Sequence, residues 1–134
     1  MDSRPVVLVV EDEPLIGLSV ADGLEEAGFD VRLVHTAGDA LHELEIGGRD
    51  IVAFLTDIRL GRGQDGWQLA RRAREAKPLI PVVYMSGDSA ADHPAQGVPH
   101  SIMVQKPFAA AQIVAAVSNL INKVPPSPPP DSAD

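Results

Sequence analysis

Four places in the chain put groups capable of acid, metal or phosphate chemistry directly after an apolar run. Glu11, Asp12 and Glu13 follow Val6-Val7-Leu8-Val9-Val10, and Asp57 follows Phe54-Leu55-Thr56. Ser86 and Gly87 follow Val83-Tyr84-Met85, and Lys106, Pro107 and Phe108 follow Met103-Val104-Gln105. Three adjacent carboxylates repel one another unless a cation sits among them. Carboxylate donors with no adjacent Cys or His suit Mg2+ or Mn2+, and Mg2+ commonly takes one or two protein carboxylates together with a phosphate. With a hydroxyl and an ammonium added, the set composes a phosphoryl-transfer crevice. Asp57 is then the candidate nucleophile that forms an acyl phosphate. The metal and Lys106 balance charge on the phosphoryl oxygens, and Ser86 donates a hydrogen bond. A plainer reading has Asp12 or Glu13 cap a helix whose first residue is Pro14. It accounts for one acid and the proline, and leaves the other acids and Asp57 without a task.

These groups meet only if the runs that carry them are strands of one sheet. The apolar pattern predicts strands over 6–10, 31–34, 51–56, 81–85 and 101–104. All but the second are nearly continuous apolar runs, as in strands covered on both faces. Helical repeats lie between them. The first has Ile16, Val20, Leu24 and Ala27 on one face, with Gly28 placed as a C-cap. Gly17 and Gly23 inside it each cost up to about 1 kcal/mol relative to Ala, so packing must hold it. Thr36 caps the second, which carries Ala37, Ala40, Leu41 and Leu44 and ends at Gly47. The third starts near Asp65 and ends before Pro78, and the last carries Ile113, Val114, Val117, Leu120 and Ile121. Between strands four and five, Pro94, Gly97 and Pro99 interrupt the pattern, which predicts a short or irregular fourth helix. Repeated strand–helix units with right-handed crossovers give an α/β fold: a parallel sheet with helices on both faces. In such sheets ligands bind beyond the carboxyl ends of the strands.

Composition narrows the function. Eleven Lys and Arg stand against 19 Asp and Glu, a net charge of −8, which repels nucleic acid and anionic lipid. There is no Cys, so disulfides and thiolate metal sites are excluded. No apolar run approaches the length of a membrane span and no leader is evident, so a cytoplasmic protein is expected. The absence of a Gly-x-Gly loop after the first strand argues against a dinucleotide site. The expected division is one domain over 1–124 and a Pro-rich disordered tail over 125–134.

Glu11-Asp12, Thr56-Asp57, Asp65-Gly66, Ser86-Gly87 and Lys106-Pro107-Phe108, with intervals of 45, 29 and 20 residues between positions 12, 57, 86 and 106, resemble the receiver domain of two-component response regulators. The resemblance covers residues 5 to 123. It implies a doubly wound five-stranded sheet in the flavodoxin-like order 2-1-3-4-5. It also implies that Asp57 accepts a phosphoryl group from a histidine kinase or a histidine phosphotransfer protein. Asp12, Asp57 and the backbone carbonyl of Arg59 would bind Mg2+ directly, and Glu11 through water. Ser86, beside Gly87, would swing toward the phosphate, and Lys106 would pair with it. Such a domain is no enzyme beyond its own phosphorylation and dephosphorylation. It would act through an unidentified downstream protein, with self-association into a homodimer as one form of contact.

Four positions depart from the family pattern. Glu11 stands where many receivers have Asp. Met103 occupies the place, three before the lysine, where many carry an aromatic switch residue, which puts the usual serine–tyrosine coupling in doubt. The loop Gly61-Arg62-Gly63-Gln64 is long and glycine-rich where a proline is common, and is expected to be mobile. The fourth helix is broken on the face that receivers use for output or dimerisation. Arg59 and Asp88, each two residues past a key position, would pair and slow loss of phosphate. No output domain is expected within these 134 residues, so the expected role is a stand-alone receiver, relay intermediate, phosphate sink or adaptor, or a receiver excised from a longer protein. Rival readings are an aspartyl-nucleophile phosphatase and a receiver that binds without phosphorylation. The first wants a second Asp where Arg59 stands, and the second usually lacks one of the five key groups.

Overall fold

The computed structural model describes residues 4–47, 50–61 and 65–123. The tail expected over 125–134 and residues 62–64 of the glycine-rich loop lie outside the described residues.

Five strands alternate with five helices: β1 (Val6–Val10), α1 (Pro14–Glu26), β2 (Asp30–Val34), α2 (Ala37–Gly47), β3 (Ile51–Asp57), α3 (Gly66–Ala76), β4 (Val82–Ser86), α4 (His93–Gln96), β5 (Ser101–Gln105) and α5 (Ala110–Lys123). A 3-10 turn, Ala90–Asp92, precedes α4. All pairings are parallel and the order is β2-β1-β3-β4-β5, so the fold is the doubly wound one expected. Asp57 and Ser86 prove to be the last residues of their strands rather than the first beyond them. The ladder continues there because Ile58 N–H donates to the Met85 carbonyl (3.1 Å) and Lys106 N–H to that of Ser86 (2.8 Å).

The two faces of the sheet bury separate cores, because alternate residues of a strand point to opposite sides. Val7, Val9, Ala53, Leu55, Val83 and Met85 pack under α1 and α5 against Leu24, Ile113 and Val117. Leu8, Val10, Phe54, Val82 and Tyr84 pack under α2 and α3 against Ala40, Leu69 and Ala73. The central strands are buried on both faces as their composition predicts. β5 is not: like β2 it is an edge strand, and only Val104 of it is buried.

The predicted helix ends hold. Gly28 adopts φ +106° just past α1, a conformation in which a Cβ is strained. Thr36 Oγ1 accepts the Asp39 N–H (3.0 Å). Gly23 is explained by contact, since a Cβ there would approach the Ala110 Cβ to 2.9 Å. The missing methyl lets α1 and α5 close on each other.

Candidate functional site

The carboxyl ends of β1, β3, β4 and β5 converge on a crevice lined by Asp12, Glu13, Asp57, Arg59, Ser86, Gly87, Asp88 and Lys106, about 340 Å³ in volume. Glu11 is fully buried beneath it and Asp57 is 5% exposed, whereas Asp12 is open to solvent. One oxygen from each of Glu11, Asp12 and Asp57 lies within 4.8 Å of the other two.

Lys106 reaches into this cluster from the end of β5, where its peptide bond to Pro107 is cis. Its Nζ donates to Asp57 Oδ2 (3.0 Å), lies 3.0 Å from Glu11 Oε1, and stands 3.8 Å from Glu13 Oε1. The approach to Glu11 Oε1 is an ion pair without hydrogen-bond geometry. That oxygen is the one buried side-chain polar atom with no hydrogen-bond partner among the described residues. Glu11 Oε2 accepts the Glu13 N–H (3.1 Å). Burial pushes the Glu11 carboxyl up to about 7, against the Glu13 amide and Lys106, which pull it down. Burial pulls Lys106 down, but its two carboxylate partners outweigh that and raise it overall, so the ammonium stays charged.

A buried carboxylate oxygen without a hydrogen bond, next to two more carboxylates, is a donor set suited to a hard divalent cation. The capping alternative explains less. Glu13 does occupy the N-cap of α1 and Pro14 its first turn, but no side chain caps the helix.

The β3–α3 connection is shaped around Asp57. Gly66 N–H donates to the Ile58 carbonyl (2.7 Å), and a Cβ on Gly66 would collide with the Asp57 carbonyl oxygen. Asp65 then caps α3 by accepting the Gln68 N–H (2.9 Å), while Gln68 Oε1 accepts that of Asp65 (3.2 Å).

Ser86 faces the crevice's rim but is turned to its own loop. Its Oγ accepts the N–H groups of Asp88 (3.2 Å) and Ser89 (2.7 Å). Arg59 and Asp88 form the pair anticipated from their positions, Nη2 to Oδ2 at 2.8 Å and Nε to Oδ1 at 3.2 Å, across the mouth. Both are largely exposed. Met103 is partly buried and lies beside Tyr84 in the β4–β5 register, a packing role with no polar group. Trp67 is 6% exposed and its ring lies 4.6 Å from that of Tyr84, so core packing is its role.

Gly66, half of the Asp65-Gly66 pair, gains its physical reason here, since only a residue without a Cβ fits against the Asp57 carbonyl. Two contributors lie outside the motifs read from the sequence. His35 is one, its Nδ1–H donating to the Glu11 carbonyl (2.8 Å). The other is Tyr84, a hydroxyl in an otherwise apolar strand that must find a partner.

The sequence profile of the response regulator receiver domain matches residues 7–118. A crystal structure of a response regulator receiver protein from Sinorhizobium medicae superposes with a TM-score of 0.87 at 40% identity, covering 92% of this chain and 98% of that one. The transcriptional activator protein IrlR of Burkholderia pseudomallei is 31% identical over 119 residues, 87% of this chain and 50% of IrlR. The transcriptional regulatory protein CusR of Escherichia coli is 30% identical over 119 residues, 87% of this chain and 51% of CusR. The chain thus spans about half the length of the curated relatives it matches.

Proposed function

The chain belongs to the response regulator receiver family, and from that premise we propose that Asp57 accepts a phosphoryl group from a histidine kinase or histidine phosphotransfer protein and that the acyl phosphate alters contacts with a downstream protein. Receiver domains are signalling modules that bind Mg2+ at their acidic phosphorylation site. The observation that carries the reading is the placement of Lys106 Nζ 3.0 Å from both Asp57 and Glu11, inside the Glu11–Asp12–Asp57 cluster.

An Asp57 oxygen attacks phosphorus, the phosphorus–nitrogen bond of the phosphohistidine breaks, and the imidazole leaves. Lys106 gives up its bond to Asp57 Oδ2 and takes a phosphoryl oxygen instead, with Glu11 keeping its charge in place. Ser86 turns its hydroxyl from the loop amides to another phosphoryl oxygen, against the wall left open at Gly87. Asp12, Asp57 and the Arg59 carbonyl would hold Mg2+ or Mn2+, with Glu11 behind a water; when bound, the ion neutralises charge on the phosphoryl oxygens. The Arg59–Asp88 pair restricts the approach of water, and Met103 fills the space of an aromatic switch without coupling to Ser86.

Transcription is the business of relatives twice as long. To this chain, with its net charge of −8, we assign protein contact and no nucleic-acid or membrane contact. The proposed compartment is the cytoplasm. Among the described residues no helix is long and apolar enough to cross a membrane.

Incubation with a small phosphodonor and Mg2+, followed by mass spectrometry, tests the reading. Phosphate is expected on Asp57, and none in Asp57→Asn or without the metal. Hydrolysis of many unrelated phosphate esters would favour an aspartyl phosphatase instead. Arg59→Ala should speed loss of phosphate, and an unchanged rate removes that role.

A further inference from the structure

Asp12 stands apart from the other carboxylates at the end of the sheet. Lys106 Nζ lies 3.0 Å from Glu11 and from Asp57 and 3.8 Å from Glu13, so each of these has a cation beside it. Asp12 has none. Among the described residues its side chain makes neither an ion pair nor a hydrogen bond, and it is open to solvent. Two further carboxylates lie close to it, and like charges at that range repel. The easiest relief is to swing the exposed member into water. An arriving ion would then have to order it again, a cost that a ligand already in place avoids.

The backbone on either side of Asp12 resists that swing. A peptide group is planar, so a hydrogen bond to its carbonyl or its amide fixes the whole plane. The plane after Asp12 carries the Glu13 N–H, which donates to Glu11 Oε2 (3.1 Å). The plane before it carries the Glu11 carbonyl, which accepts from His35 Nδ1 (2.8 Å). With both planes held, the φ and ψ of Asp12 are held, and only its own side-chain torsions remain free.

The two holders differ in kind. Glu11 belongs to the acidic cluster. His35 does not: it is the first residue past β2, and its own backbone is secured on both sides. Before it, the Glu11 N–H donates to the Val34 carbonyl (3.1 Å). After it, Thr36 Oγ1 accepts the Asp39 N–H (3.0 Å) and the Thr36 carbonyl accepts the Ala40 N–H (3.1 Å). A carbonyl oxygen only accepts, so Nδ1 carries the proton of the bond to Glu11. The residue is exposed, so that bond rather than packing is what its side chain contributes.

We propose that His35 is a positioning residue for the divalent cation: through the Glu11 carbonyl it fixes the peptide that keeps Asp12 facing Asp57, and so raises the affinity of the cluster for Mg2+ or Mn2+. The inference rests on the reading of Glu11, Asp12 and Asp57 as the metal site of a phosphoacceptor. Groups that orient a metal ligand without touching the ion commonly alter affinity by about ten- to a hundredfold.

Mn2+ titration of the full chain, with the electron paramagnetic resonance of the free ion as readout, tests it. NMR relaxation of the Asp12 amide, which lies on the plane His35 holds, gives a second readout in the metal-free protein. His35→Phe keeps a ring and removes the donor. It should weaken Mn2+ binding by about tenfold or more and raise the mobility of the Asp12 amide, with Tm unchanged. His35→Asn, whose amide nitrogen is bonded to Cγ as Nδ1 is, should restore both. Wild-type affinity or a wild-type Asp12 amide in His35→Phe would overturn the positioning role. So would His35→Asn binding as weakly as His35→Phe, or a fall in Tm that accompanies the lost affinity. Asp12→Asn tests the premise separately: if the wild type binds no Mn2+, or Asp12→Asn binds it equally well, the metal site itself falls, and the inference with it.

Discussion

Both faces of the sheet bury an apolar core, but the helices α1 and α5 on one face and α4 on the other are held by different forces. Under α1 and α5, thirteen- and fourteen-residue helices press apolar stripes onto the strands and onto each other, closely enough that Gly23 and Ala110 have no room for another methyl. At α4, a four-residue helix has no fully buried residue, only the half-buried His93 ring packed near Trp67 and Tyr84, and directional bonds from Ser86, Tyr84, Arg71 and Arg74 set its place. Packing by volume resists change, because any shift opens a void. A hydrogen bond can be exchanged for another of similar energy. Elements of the first kind are fixed by volume, and an element of the second kind can be re-seated without opening the core.

Substitutions on the two faces should therefore differ in reach. The largest expected effect is Leu24→Ala, which removes a fully buried side chain from the α1 face and should cost about 2–5 kcal/mol in denaturant melts, with exchange rising across the whole sheet. Gly66→Ala comes next. Its methyl meets the Asp57 carbonyl, so it should cost about 1–3 kcal/mol and also depress phosphorylation of Asp57. Arg74→Ala should cost about 1–2 kcal/mol and raise exchange at residues 97–100 alone. If it loosened α1 and α5 as well, the contrast between those helices and α4 would be lost.

A pH series sharpens the comparison at the sheet's end. Burial raises Glu11 from 4.5 to about 7, so the folded metal-free protein binds that proton more tightly than the unfolded chain. The contribution favours folding below about pH 4.5 and is lost as pH rises through about 7. With EDTA present, the wild-type Tm should fall by several degrees across that window, and Glu11→Gln should flatten the slope. The smallest effect expected is Arg71→Ala, within about 1 kcal/mol, since its one bond is exposed.

The alternation of apolar runs and helical repeats was legible because it is local: the five strands, the caps at Thr36, Asp65 and Gly28 and the broken α4 all follow from residues near one another. The chemistry was legible because its carriers sit where strands end, and the strand order came from family resemblance. What escaped depends on partners far apart in sequence. The ladders that extend β3 and β4 by one residue, the turning of Ser86 to its own loop, the seating of Gly66 on Asp57 and the Tyr84–Val98 bond are tertiary. The exposure of β5 escaped for a related reason, since an edge strand and a central one can share a composition.

The bond from the Gly66 N–H to the Ile58 carbonyl holds the two ends of the β3–α3 connection side by side. Length added between those ends changes loop-closure entropy only slowly, and neither Asp57 nor the start of α3 needs to travel to accommodate it. The connection can thus vary in size and composition at nearly constant foundation, which makes it the natural place for a relative, or a protein engineer, to install new partner specificity beside an unaltered reaction centre.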